Sequence, residues 1–111
     1  MEQIYNKLVR DRIPGIIKSN GETPIIKILK EEEYKKELEK KLYEEYNEVI
    51  ESSGDVRIEE LGDMIEVINS LAILEGKTLN DVIKVSDEKR EKRGGFDNRI
   101  FLKKVLTKNV K

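Results

Sequence analysis

The sequence predicts a mainly α protein, a helical bundle built on an antiparallel helix hairpin, with a short β-ribbon made by the two chain ends. Three observations lead there. Residues 31–53 carry no Gly or Pro, and their apolar side chains recur at helical spacing. Beyond Gly54, a second stretch up to Glu75 is apolar around most of a helical circumference. Charged residues make up 41% of the chain and aromatic ones only 5%, the composition of helices with long solvated faces.

The elements follow in chain order. Asp11-Arg12-Ile13-Pro14 is a helix start with Pro in the first turn, and that short helix stops at Asn20-Gly21. Residues 23–29 are rich in β-branched side chains and predict a short strand, with Pro24 at its start. The first long helix is ended by Gly54 as a cap, and Asp55 or Val56 opens the second, which closes at Gly76. Thr78-Leu79-Asn80-Asp81 resembles a capping box and starts a third long helix that runs to about Arg93, before Gly94-Gly95. Residues 99–106, apolar and basic, are the expected partner strand of the ribbon. The 111 residues amount to one domain.

The absent residue types exclude much chemistry. There is no Cys and no His, so disulfides, Cys or His nucleophiles and the usual zinc ligands are all ruled out. Any metal must be held by oxygen, which favours Mg²⁺, Mn²⁺ or Ca²⁺. A net charge of −1 argues against a nucleic-acid partner. No stretch approaches the roughly 18 apolar residues of a membrane span, so a cytoplasmic protein without membrane partners is expected.

Several carboxylates sit where helical geometry says they should not. At about 100° per residue, Leu38, Leu42, Tyr46 and Val49 form the apolar stripe of the first long helix. Glu45 falls inside that stripe and Glu48 on its flank, with Glu44 further round. On the second helix Glu60 falls between Val67 and Leu71, with Asp63 beside it. A carboxylate facing a core is costly unless paired or bound to metal. In a hairpin, residues equidistant from the turn face each other. Glu48 and Glu60 are each six residues from Gly54, and Glu45 and Asp63 each nine, so both acidic pairs meet. Four carboxylates in one pocket repel unless cations neutralise them. Taken singly, each motif is common in a Glu-rich chain and reads as a solvated face; the shared register and apolar context join them into one metal site.

Glu44-Glu45-x-x-Glu48 followed by Glu60-x-x-Asp63 resembles the signature of the all-α nucleoside triphosphate pyrophosphohydrolases, the MazG-like superfamily. The opening Tyr5-Asn6-Lys7-Leu8-Val9-Arg10-Asp11-Arg12-Ile13-Pro14 and the late Lys89-Arg90-x-x-Arg93-Gly94-Gly95-Phe96 resemble a narrower group within it, labelled phosphoribosyl-ATP pyrophosphohydrolase-like. The resemblance implies Mg²⁺-dependent hydrolysis of a nucleotide to the monophosphate and pyrophosphate, in nucleotide-pool housekeeping. It implies metal ligation by Glu45, Glu48, Glu60 and Asp63, with Glu44 as a further ligand or the group orienting the attacking water. It also implies a homodimer or homotetramer.

A triphosphate needs cationic partners. The candidates are Lys7, Arg10 and Arg12 near the start, and Lys89, Arg90, Lys92 and Arg93 at the end of the third long helix, where basic residues also complement the helix dipole. Tyr5 and Asn6 could hold a base or ribose, or simply pack the N-terminus. Phosphoribosyl-ATP is an alternative substrate. A competing reading is a non-catalytic helical dimerisation module, whose acids pair with Lys or Arg across an interface. An enzyme's carboxylates should instead converge with no basic partner inside the pocket.

Overall fold

A computed structural model of the protein describes residues 1–108 and contains four helices: α1 (Ile13–Ser19), α2 (Glu31–Glu51), α3 (Gly54–Leu74) and α4 (Leu79–Arg93). The chain forms two compact units, one covering Met1–Leu79 and the other starting at Asn80.

Local chemistry explains where each helix of the first unit begins and ends. Pro14 lies at the start of α1, where its missing N–H costs nothing. Gly21, at φ +82°, turns the chain away behind it. Glu31, Glu32 and Glu33 occupy the first turn of α2, where their charge opposes the helix dipole. α2 stops two residues earlier than the composition predicts. The Ser52 hydroxyl donates to the Val49 carbonyl at 3.1 Å, the Arg57 side chain donates to the Ser52 carbonyl at 2.8 Å, and Ser52 and Ser53 are extended. Gly54, at φ +59°, then turns directly into α3. At the far end of α3 the Lys77 and Gly76 amides donate to the Ala72 and Ile73 carbonyls, both at 2.9 Å, with Gly76 at φ +75°.

The two 21-residue helices α2 and α3 pack against each other as the expected antiparallel hairpin. Their seam buries Leu38, Val67 and Ala72, with Leu42, Val49, Met64, Ile68 and Leu71 half-buried beside them. The second unit consists of α4 and the segment after it, and every described residue from Asn80 onward is exposed. No helix among the described residues is long and apolar enough to cross a membrane.

Two expectations are corrected. The β-ribbon is absent: no strand occurs among the described residues, and both 23–29 and 99–106 are irregular. A β-branched run favours an extended backbone but becomes a strand only when a partner satisfies its backbone groups, and a lone two-stranded ribbon is marginal at best. Ile25 is 93% exposed, with no packing to hold it in a sheet. The other segment opens on a turn, Arg99 at φ +58° donating its amide to the Phe96 carbonyl, which interrupts an extended run at its first residue. The second correction concerns α3, whose apolar surface around most of its circumference marks a central, buried helix. Ile58, Leu61, Ile65 and Ile73 are exposed, because α2 covers only one of its faces.

Candidate metal centre

The hairpin register decides which acids meet. Glu45 and Glu48 come from one turn of α2, Glu60 and Asp63 from one turn of α3, and the two-residue link between the helices sets them level. Glu45, Glu60 and Asp63 each offer a carboxylate oxygen within 4.8 Å of the others. Glu45 is 6% exposed in the seam of the hairpin, and its Oε2 is buried without a hydrogen-bond partner. Glu60 Oε2 is likewise buried and unpartnered. Unmet carboxylate oxygens at a buried seam carry a desolvation cost that a bound cation removes. Three hard oxygen donors without nitrogen or sulfur suit Mg²⁺, Mn²⁺ or Ca²⁺, so the residues present fit such an ion.

Glu48 lies outside the three-oxygen cluster, with its carboxylate close enough to raise the pKa of both Glu60 and Glu45. It is the largest influence on Glu60, whose pKa is raised from 4.5 to about 7 by proton sharing with Glu48, then by burial, and by the charges of Glu48, Asp63 and Glu45. Glu45 is raised as well, first by burial and then by the Glu48 charge, against the lowering pull of Lys41. Without a cation, the cluster relieves its own repulsion by holding protons.

Basic groups touch the rim. Arg10 Nη2 donates to Asp63 Oδ1 at 2.8 Å, and Lys41 Nζ stands 3.9 Å from Glu45 Oε1 and 3.5 Å from Glu44 Oε2. Neither reaches the two inward oxygens, which stay unpartnered. The Lys41 contacts were legible as i,i+3 and i,i+4 spacings; the Arg10–Asp63 pair, 53 residues apart in sequence, was not.

Other candidate residues fall elsewhere. Glu44 is exposed, turned to Lys41, and borders a surface hollow of about 610 Å³ with Lys36, Glu39, Lys40 and Tyr43. That hollow lies outside the acidic cluster, and an ion held by three carboxylates needs no cavity of such size. Asn6 is in a left-handed turn at φ +45°, and Lys7 Nζ stands over the Tyr5 ring at 5.8 Å. Lys89 and Arg93 belong to the second unit, exposed at the end of α4, where Arg90 pairs with Asp97 at 3.3 Å. Arg93, with residues 94–100, lines a hollow of about 230 Å³.

No family model matches the chain, and no solved structure matches it. An uncharacterised protein of Mycolicibacterium smegmatis (strain ATCC 700084 / mc(2)155) is 49% identical over 43 residues, which is 39% of this chain and 44% of that protein. The match thus spans less than half of either.

Proposed function

We propose that the hairpin holds Mg²⁺, or Mn²⁺, and hydrolyses a nucleoside triphosphate or related nucleotide to the monophosphate and pyrophosphate. The observation that carries the reading is the pair of buried, unpartnered oxygens, Glu45 Oε2 and Glu60 Oε2, beside Asp63. The motif resemblance supplies the reaction class. Glu45, Glu60 and Asp63 are the ligands. Once bound, the ion supplies charge neutralisation at the phosphate oxygens.

The chain's own groups then do the rest. Glu48 stands beside Glu60 but outside the three-oxygen cluster, so it takes the proton of the attacking water. The water oxygen adds to phosphorus as the anhydride link to the departing pyrophosphate breaks. Arg10 and Lys7 neutralise phosphate charge, and Asn6 contacts the sugar or base. No protein nucleophile is needed, which suits a chain without Cys or His. The working form is a homodimer or homotetramer, in keeping with the apolar face of α3 that α2 leaves exposed.

The test is Mg²⁺-dependent pyrophosphate release from the full chain across canonical and modified nucleoside triphosphates and phosphoribosyl-ATP. Release from at least one nucleotide, lost on chelation, is expected. No release from any of them at high protein concentration overturns the reading and leaves the dimerisation module standing.

A further inference from the structure

Arg10 stands at an unusual junction. Its carbonyl accepts the Ile13 amide at 3.0 Å, in the turn that leads into α1, while its guanidinium reaches across to α3. Before it, residues 1–9 have no regular structure, and only Leu8 is half-buried. The ion pair with Asp63 therefore ties an otherwise loosely held segment to a carboxylate of the metal cluster. Both partners are open to water, at 57% and 45% exposure, so the tie is weak and exchangeable.

We propose that Arg10 is a displaceable counter-ion: it occupies Asp63 while the centre is without metal, and a divalent cation expels it, which frees residues 5–12 and releases the guanidinium for substrate phosphate. The proposal rests on the metal-centre reading above. A carboxylate oxygen cannot give its full charge to a cation and to a guanidinium 2.8 Å away, so the two compete. Competition is reciprocal: whatever Arg10 contributes to holding the segment down is subtracted from metal affinity, and the metal loosens the segment by the same factor. Release costs little, since an exposed pair is worth a few-fold in equilibrium. The freed group is the chain's planar, two-pronged phosphate donor closest to the cluster. The segment thus acts as a strap that opens when the ion arrives and becomes available to close on the nucleotide.

The experiment uses Mn²⁺ alone as probe, without nucleotide. Mn²⁺ binding is titrated on the full chain and on Arg10→Gln, with Lys27→Gln as control. Lys27 carries the same charge but pairs with Glu33 at 3.0 Å, away from the cluster. Amide exchange of residues 5–12 is followed on the same samples. Arg10→Gln is expected to bind Mn²⁺ about two- to fivefold more tightly, the size of an exposed ion pair, with Lys27→Gln unchanged. Mn²⁺ should speed exchange of 5–12 in the parent chain, and Arg10→Gln should exchange fast with or without the ion. Unchanged or weaker Mn²⁺ binding by Arg10→Gln overturns the strap while leaving the metal centre intact. An equal gain in Lys27→Gln overturns it too, since a general field would then explain the effect. Failure of both parent and variant to bind Mn²⁺ overturns the strap together with the metal centre.

Discussion

Glu60 keeps its proton at pH values where an ordinary carboxylate has lost it, because it shares that proton with Glu48, the seam partly buries it, and the charges of Glu48, Asp63 and Glu45 crowd it. The sign of the consequence follows from proton counting. With the folded pKa raised from 4.5 to about 7, the folded chain holds a proton that the unfolded chain has released in that interval. Metal-free stability therefore falls as pH climbs through the window and levels off above it. Thermal melting in chelator should give a higher midpoint at about pH 5 than at about pH 7.5, and Glu60→Gln should flatten the difference. A midpoint that rises over that range would show that the carboxylates are not crowded. Removing a ligand bears on activity separately. Asp63→Asn should lower pyrophosphate release by about a hundredfold or more while leaving the melting midpoint unchanged or raised, since like-charge repulsion is relieved. An active Asp63→Asn variant would remove the ground for assigning the site. These acids were legible beforehand because charge on an apolar stripe contradicts the local pattern, and a symmetric hairpin converts sequence distance from Gly54 into spatial level. Arg10 on Asp63 was not, because nothing local dictates where an irregular N-terminal segment lies.

At the scale of the elements, two glycines of the hairpin have opposite duties. Gly54 sits at φ +59°, a conformation that a Cβ penalises, and it lets two helices join through only two intervening residues. Gly62, in mid-helix beside Asp63, meets no atom within 4 Å of an added Cβ and has an ordinary helical backbone. Urea unfolding should therefore show Gly54→Ala destabilised by about 1 kcal/mol and Gly62→Ala stabilised by about 0.5–1 kcal/mol. Stabilisation by Gly54→Ala would contradict the hairpin turn. Destabilisation by Gly62→Ala would mean that another surface packs onto α3 at that point. Helix ends were readable from sequence because glycines, serines and acidic first turns act within a few residues. The ribbon was misread for the opposite reason: a strand exists only through its partner, and the β-branched residues 23–29 cannot specify one.

The hairpin as a whole carries an imbalance that its two helices cannot settle between them. Only Leu38, Val67 and Ala72 are buried apolar residues among those described, whereas Tyr46, Ile58, Ile65 and Ile73 leave large surfaces in water. Covering one such isoleucine contributes about 1.5–3 kcal/mol, while association itself costs about 4–15 kcal/mol. One or two contacts would not hold copies together; a whole α3 face would, so assembly should be cooperative and tied to folding. Sedimentation equilibrium should accordingly give a mass of two or four chains, and the melting midpoint should rise with protein concentration. Ile65, at 49% exposure, is a direct probe, because a charge there costs the single chain little but cannot be covered by a partner. Ile65→Glu should shift the mass toward one chain and lower the midpoint, and it should remove the concentration dependence. A single-chain mass at every concentration, with Ile65→Glu melting like the parent, would show that the hairpin is stable with its apolar face in water. The acidic centre would then have to work from two helices alone.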